Sequence, residues 1–348
     1  MKKESQKCKI VFFGTPQFAV CILQKLIEKK LTPQLIITAP DKPVGRKRIL
    51  TPSPVKILAQ KNKITVEVPQ KIRNDEEILG KIKKLGPDLV IVAAYGKILS
   101  KELLDIPKFG CINVHASILP KYRGSSPIQA AILAGETETG VTTILMDEKM
   151  DEGDIIAIQK APIEPKDTYQ SLSEKLAQIG GDLLTETIYL YLSWCEATNK
   201  PNHKAEALLT AGPGAKRNLK GSPQSGLLAS ENESLRLNKQ FFLPPLPQDH
   251  SQATYTKIIK KEDGQIDLKK PPKLEKLDRM IRAFYPWPGV WTRLQTTDHR
   301  LLLIKFLPDD PFLIQPEGKR PMTINEFKNG YPAAYEQIKH IFNPQAQS

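Results

Sequence analysis

Asn113 and His115 are separated by one residue at the end of the apolar run Cys111–His115. In a β-strand, residues two apart point to the same face, so this spacing predicts that an amide and an imidazole converge on one atom. A neutral amide can donate a hydrogen bond to a developing oxyanion, and an imidazole can move protons near neutral pH. The pair therefore indicates acyl-transfer chemistry.

A carboxylate completes the candidate site. Asp151 lies in the acidic turn 147–154, two residues before Gly153, where a tight turn would direct it back to the same cleft. Taken singly, each of the three residues more often has a structural role, as a core histidine, a turn asparagine or a solvated acid.

The turn is not a calcium loop, because Lys149 and Glu152 stand where such a loop needs an oxygen ligand and a glycine. No Ser or Cys lies in a recognisable nucleophile elbow, which favours direct transfer over a covalent acyl-enzyme.

The elements that must position these residues alternate between short apolar runs and helical patterns, which predicts a mostly parallel sheet covered by helices. The predicted strands are Lys9–Phe13, Gln34–Thr38, Leu89–Ala94, Cys111–His115, Gly140–Met146 and Asp154–Ile163. The predicted helices are Phe18–Lys30, Ser53–Lys61, Asp75–Leu85, Ile128–Ala134 and Thr168–Glu196. Ligands of such sheets bind at the carboxyl ends of the strands, so we expect Phe13–Pro16 to border the cleft. Gly14 begins no G-x-G-x-x-G motif, which argues against a dinucleotide cofactor.

The pattern changes after residue 198. Glycine and proline interrupt every periodic pattern in 199–242, which predicts a flexible linker or insertion. Short β-like runs then follow, at Ala253–Ile259, Val290–Leu294 and Leu301–Phe306, and indicate a small β-barrel. We therefore expect a catalytic domain over 1–198 and a C-terminal domain over 243–348.

Charge indicates an anionic partner. Lys and Arg number 51 against 38 Asp and Glu, a formal net charge of +13, which is typical of proteins that bind nucleic acid or a phosphorylated ligand, although solubility alone can also account for it. In the Pro/Gly-containing loop Pro40–Arg48, the side chains of Arg46, Lys47 and Arg48 are expected to reach phosphates and base edges of a nucleic acid.

The four cysteines, Cys8, Cys21, Cys111 and Cys195, form no C-x-x-C pair, so neither a zinc site nor a disulfide framework is expected. Reduced thiols fit a cytoplasmic protein. The apolar run near the N-terminus is too short for a secretory signal, and no stretch is long enough to span a membrane. We expect a monomer with no metal and no membrane contact.

The sequence resembles the 10-formyltetrahydrofolate-dependent formyltransferase family, and within it the branch that formylates methionyl initiator tRNA. The most specific segments are the strand Asn113-Val-His115 and the turn Met150-Asp-Glu-Gly-Asp154. The other matching segments are Val11–Ala19, Pro40–Arg48, Thr51–Lys56, Ile112–Gly124, Gly140–Asp147, Leu246–Gln248, Ala253–Tyr255, Ile281–Gly289 and Gln315–Lys319. Two departures are Leu145, where the family usually has a polar or aromatic residue, and 199–242, which has no counterpart.

This resemblance implies a Rossmann-like domain followed by an OB-like barrel that binds tRNA. It implies that Asn113, His115 and Asp151 are the catalytic residues and that 10-formyltetrahydrofolate is the formyl donor. The residues that it implies for folate binding are Ser117, Ile118, Leu119 and Pro120 in one loop, and Ala94, Tyr95 and Gly96 in another. The basic loop with Arg46, Lys47 and Arg48 would contact the acceptor arm of the tRNA.

Two other functions stay open from the sequence. A formyltransferase acting on a nucleotide-linked amino sugar would carry similar catalytic motifs, although a small sugar does not require the basic loop. A non-catalytic RNA-binding protein of the same fold would be expected to have lost Asn113, His115 or Asp151, and all three are present.

Overall fold

The computed structural model of the chain describes residues 8–45, 47–73, 75–199, 238–297, 299–309 and 312–342. The strands are β1 (Ile10–Gly14), β2 (Leu35–Ile37), β3 (Lys42–Val44), β4 (Ile49–Thr51), β5 (Thr65–Glu67), β6 (Leu89–Ala93), β7 (Cys111–His115), β8 (Arg123–Gly124), β9 (Glu138–Leu145), β10 (Asp154–Pro162), β11 (Lys239–Leu246), β12 (Tyr255–Thr256), β13 (Val290–Gln295), β14 (Leu301–Leu307) and β15 (Leu313–Pro316). The α-helices are α1 (Gln17–Glu28), α2 (Pro54–Lys61), α3 (Glu76–Leu85), α4 (Lys101–Leu104), α5 (Pro127–Ala134), α6 (Tyr169–Thr198), α7 (Leu274–Phe284), α8 (Ile324–Gly330), α9 (Pro332–Glu336) and α10 (Lys339–Phe342).

Eight strands form one sheet in the order β11-β10-β9-β7-β6-β1-β2-β5. β1 is parallel to both β2 and β6, β5 is parallel to β2, and β7 is parallel to β6. β9 runs antiparallel to β7, and β11 runs antiparallel to β10. The chain goes from β1 to β2 and β5 on one side and then returns to β6 on the other. The strand order therefore reverses at β1, and sheets of this kind bind ligands at the carboxyl ends beside such a point.

The central strands are buried along their whole length because both faces of the sheet are covered, and apart from Asn113 and His115 in β7 they carry no polar side chain. Every residue of β1, β6 and β7 is buried. On one face, Val11 and Phe13 of β1 pack in a cluster with Val92 of β6 and Cys111 of β7. Alternate residues of a strand share a face, so Asn113 and His115 lie on the same side of β7 as Cys111.

Helix α3 shows how local sequence signals set the ends of an element. The Asp75 side chain accepts a hydrogen bond from the backbone N–H of Ile78, and Glu76 and Glu77 occupy the first turn. The helix ends at Gly86, which adopts a left-handed conformation with φ 57°. These signals explain why the predicted helix Asp75–Leu85 differs from the observed one only by its capping residue.

The C-terminal part contains a small antiparallel sheet in the order β13-β14-β15. Gln265 adds a parallel bridge to Trp291 at one edge, and Met322 adds an antiparallel bridge to Ile314. The fold class is therefore confirmed: a large, mostly parallel α/β sheet is followed by a small β domain. Among the described residues these strands do not close into the predicted barrel, and only Tyr255–Thr256 of the predicted run Ala253–Ile259 is a strand.

Residue contacts divide the chain into two units that alternate along the sequence. One comprises Met1–His115, Val141–Lys160 and Gln178–Gln248, and the other comprises Ala116–Gly140, Ala161–Ala177 and Asp249–Ser348. The domain boundaries near 198 and 243 stay a prediction. Residues 200–237 of the predicted linker lie outside the described residues, whereas 239–242 belong to β11.

Candidate active site

Strand β7 carries Asn113 and His115 at its carboxyl end. The strand pairs with β6 on one side and with β9 on the other, and the backbone partners of Asn113 are Val92 and Ile144. Asn113 is 8 % exposed and His115 is 5 % exposed. Their burial between two strands fixes both side chains before any ligand arrives, and such preorganisation is what electrostatic catalysis requires.

The acidic turn between β9 and β10 brings Asp151 to these two side chains. Asn113 Nδ2 donates a hydrogen bond to Asp151 Oδ1 over 3.2 Å, and His115 Nδ1 lies 3.6 Å from the same oxygen. The structure thus brings together the three residues that the sequence analysis singled out. One carboxylate oxygen faces both the amide and one imidazole nitrogen, and the amide NH₂ carries a second hydrogen that a substrate can accept.

The backbone path of this turn is unusual. Asp151 has a φ of 55°, in the left-handed region that residues with a Cβ rarely adopt. A Cβ added to Gly153 would lie 1.9 Å from the Leu145 carbonyl oxygen, so only glycine allows the turn to pass this close to the end of β9.

Gln248 holds the turn and was not among the predicted site residues. Its Nε2 donates to the carbonyl oxygen of Asp151 over 2.9 Å and to that of Gly153 over 2.7 Å. Gln248 follows β11 and is buried. The sequence offered one signal for this residue, because Leu246-Pro-Gln248 was among the segments that carried the family resemblance.

The predicted folate residues Ala94, Tyr95 and Gly96 follow β6, beside the point where the strand order reverses. The Tyr95 ring packs edge-on against Phe13, with ring centroids 5.2 Å apart. Burial raises the pKa of Tyr95 to about 12, and the hydroxyl has no hydrogen-bond partner among the described residues. A buried, unpartnered hydroxyl fits a ligand that has a hydrogen-bonding edge.

The other predicted folate residues form a loop in the second unit. Ser117 Oγ donates to the Lys121 carbonyl oxygen over 2.7 Å, and the backbone N–H of Thr254 donates to that of Pro120 over 3.4 Å. Leu119 is buried, whereas Ile118 is partly exposed. The loop is therefore tied back at both ends, and Ile118 and Pro120 are its partly exposed side chains.

The predicted tRNA-binding loop is a two-stranded hairpin, because β3 pairs antiparallel with β4. Lys47 and Arg48 lie in its turn, and Arg48 has a φ of 49°. Arg46 lies outside the described residues. The hairpin exposes large apolar side chains beside its cations, namely Val44, Ile49 and Leu50. The surface of the hairpin therefore combines positive charge with aliphatic area.

The positive charge of the hairpin extends toward the end of β6. Lys97 Nζ donates to the carbonyl oxygens of Pro69 and Gln70, each over 2.8 Å. Burial, and in second place the positive charge of Lys42, lowers the pKa of Lys97.

No group of three His, Cys, Asp or Glu side chains suited to a metal ion occurs in the part of the chain that the structure describes.

Comparison with known protein families matches both parts of the chain. The family described as "Formyl transferase" matches residues 8–188, and the one described as "Formyl transferase, C-terminal domain" matches residues 258–311. A methionyl-tRNA formyltransferase from Geobacter sulfurreducens is 38% identical over 286 residues, which cover 82% of this chain and 74% of the relative. Another from a Geobacillus species is 42% identical over 284 residues, covering 82% and 74%.

Solved structures show the same fold at lower identity. A sugar N-formyltransferase from a Shewanella species superimposes with a TM-score of 0.54 at 16% identity, covering 87% of this chain and 99% of its own. An N-formyltransferase from Helicobacter canadensis, in complex with folinic acid and dTDP-3-aminofucose, gives a TM-score of 0.54 at 18% identity, covering 89% and 99%. At this level of identity the likeness concerns the fold alone.

Proposed function

The chain belongs to the formyl transferase family, and from this premise we propose that it transfers a formyl group from 10-formyltetrahydrofolate to the α-amino group of methionyl initiator tRNA. The observation that carries the proposal is the convergence of Asn113 and His115 on one oxygen of Asp151, at 3.2 Å and 3.6 Å. This reaction prepares initiator tRNA for translation initiation. The 38–42% identity to methionyl-tRNA formyltransferases supports the choice of acceptor.

In the proposed reaction, the methionyl amine attacks the formyl carbon and negative charge develops on the formyl oxygen. Asn113 holds one amide hydrogen on Asp151 and donates the other to that oxygen. His115, oriented by Asp151 through Nδ1, donates a proton to the leaving folate nitrogen. The bond from carbon to folate nitrogen breaks as the new amide is completed, and the proton that the amine releases passes to His115, which is thereby reprotonated. No covalent enzyme intermediate is required.

The carboxyl edge of the sheet supplies the proposed folate site. Tyr95, with Ala94 and Gly96, follows β6 beside the reversal of strand order, and its hydroxyl would meet the polar edge of the pterin. The loop Ser117–Pro120 would contact the same donor. The hairpin residues Lys47 and Arg48, together with Arg46, are proposed to contact the acceptor arm of the tRNA.

One assay tests the acceptor. The protein is incubated with 10-formyltetrahydrofolate labelled in the formyl group, and with either charged initiator tRNA or a nucleotide-linked amino sugar. We expect label in the methionyl tRNA and none in the sugar. Transfer to the sugar alone would favour the amino-sugar alternative, which the fold of the Shewanella and Helicobacter enzymes keeps relevant. RNA binding without any transfer would favour the non-catalytic alternative.

A further inference from the structure

Gln248 reaches the acidic turn from a strand far away in sequence. It lies 97 residues after Asp151 and 95 residues after Gly153, two residues beyond the end of β11. β11 pairs with β10, and the register places Leu246 opposite Ile155, just after the turn. The side chain of Gln248 is therefore carried to the turn by sheet pairing, and only 6 % of the residue is exposed.

The contact needs a neutral amide. One nitrogen, Nε2, donates to two carbonyl oxygens that flank Glu152, over 2.9 Å and 2.7 Å. A glutamine NH₂ has two hydrogens and can satisfy both acceptors, whereas a glutamate of the same size has none when ionised. An ionised carboxylate would also place negative charge against two carbonyl oxygens in a buried site.

The turn needs such support because its backbone conformation is costly. Asp151 has a φ of 55°, and residues of this kind persist only when their surroundings hold them in place. The carboxylate that this conformation aims at β7 makes the 3.2 Å and 3.6 Å contacts with Asn113 and His115. A turn released from Gln248 would be free to turn the Asp151 carboxylate away from both.

We infer that Gln248 is a positioning residue for the transfer reaction: its two hydrogen bonds hold the backbone of the acidic turn so that the Asp151 carboxylate faces Asn113 and His115. The inference rests on the proposed function, because it takes Asp151 as part of the catalytic site. In this role Gln248 acts through Asp151, whose carbonyl oxygen it binds.

The test uses the substitution Gln248→Glu in the full chain, measured from pH 5.5 to 8. Burial and the negative charges of Asp151, Glu152, Asp154 and Asp249 favour the protonated form of the new glutamic acid, which has one O–H to donate. At pH 8 we expect the kcat of Q248E to be about 10²-fold below wild type, the loss typical of a misplaced catalytic group, with the KM for tRNA unchanged. Toward pH 5.5 the ratio of variant to wild-type kcat should rise.

Three further variants make the result specific. Gln248→Met has similar length and no donor, so its loss should be independent of pH. Gln240→Glu makes the same substitution at an exposed position of β11 and should behave as wild type. The other charged groups near the site, namely His115, the four acids and Lys149, which lies 3.6 Å from Glu152, are present in both proteins. Gln248→Asn, with the amide one carbon short, should recover less than half of the activity lost in Q248M.

The outcomes separate two failures. If wild type formylates methionyl tRNA but Q248E matches it at pH 8, or falls by the same factor at every pH as Q248M, then Gln248 does not position the turn and the inference is overturned. If wild type fails to formylate methionyl tRNA, the proposed function itself is wrong. Thermal unfolding of Q248M and Q248E beside wild type checks that each variant is folded at the assay temperature.

Discussion

Replacing Gly153 by alanine tests whether the site depends on the close passage between the acidic turn and the end of β9. A Cβ at this position would lie 1.9 Å from the Leu145 carbonyl oxygen, whereas real Cβ atoms essentially never approach a neighbour closer than 3.0 Å. The turn and the strand would have to separate by about 1.1 Å, because both contacting groups are backbone and have no rotamer to change.

The size of this displacement sets the expected loss. Asp151 lies two residues from Gly153, and its Oδ1 is 3.2 Å from Asn113 Nδ2, so a further 1 Å or so would take the pair beyond hydrogen-bond distance. A misplacement of about 1 Å can cost about 10²-fold in rate. That loss corresponds to about 2.7 kcal/mol in activation free energy.

The assay is the initial rate of formyl transfer to charged initiator tRNA, with thermal unfolding measured on the same preparations. Gly80 supplies the matched control, because it lies inside α3 and an added Cβ there meets nothing within 4 Å. We expect Gly80→Ala to keep full activity and to raise the free energy of unfolding by roughly 0.5–1 kcal/mol. Gly153→Ala should lose activity by about 10²-fold.

A Gly153→Ala protein with transfer rates within threefold of wild type would refute this reasoning, because the turn would then tolerate the displacement. If the variant is unfolded at the assay temperature, the rate is measured at a lower temperature where unfolding curves show it folded. A folded variant with a normal rate contradicts the geometric argument under either condition.

Three other predictions concern the proposed oxyanion donor, the hairpin and the helix caps. Asn113→Ala should lower kcat by about 10²–10³-fold with little change in the KM for tRNA, measured by steady-state kinetics; normal turnover would exclude Asn113 as an oxyanion donor. In a salt titration, log tRNA affinity falls linearly with log salt concentration, and Lys47→Gln and Arg48→Gln should each reduce the magnitude of this slope by about 1, the change expected when one phosphate contact is lost. An unchanged slope would exclude that contact. Asp75→Ala should lower the free energy of unfolding by about 1 kcal/mol in a denaturant titration without affecting transfer, and equal stability would contradict its capping role.

Local periodicity carried most of the fold prediction. The strand Cys111–His115 was predicted and observed with the same bounds, because a run of apolar residues buried on both faces is the ordinary sequence of a central parallel strand. The five predicted helices were placed within two residues of the observed ones, since caps and apolar spacing are read from neighbouring residues, whereas the four-residue helix Lys101–Leu104 was not predicted. The hairpin of β3 and β4 was missed because its strands are only three residues long and are mostly exposed.

The fold of the C-terminal part was harder to predict from the sequence, because its strands are also short. Its strands pair in a short antiparallel sheet whose edges are completed by single bridges, at Gln265 and Met322. Single bridges of this kind leave no periodic signal in the sequence. The spacing of short β-like runs predicted a barrel. Whether such strands close into a barrel depends on which of them pair, and the spacing does not contain that information.

For the site, the sequence alone determined that Asn113 and His115 share a face, because a strand alternates its side chains with a period of two residues. It also singled out Asp151 from an acidic turn. Only the tertiary structure decided that Asp151 reaches across 38 residues to meet Asn113 and that Gln248 reaches across 97 residues to hold the turn. These contacts depend on which strands lie side by side, and that choice is made by the packing of the whole sheet.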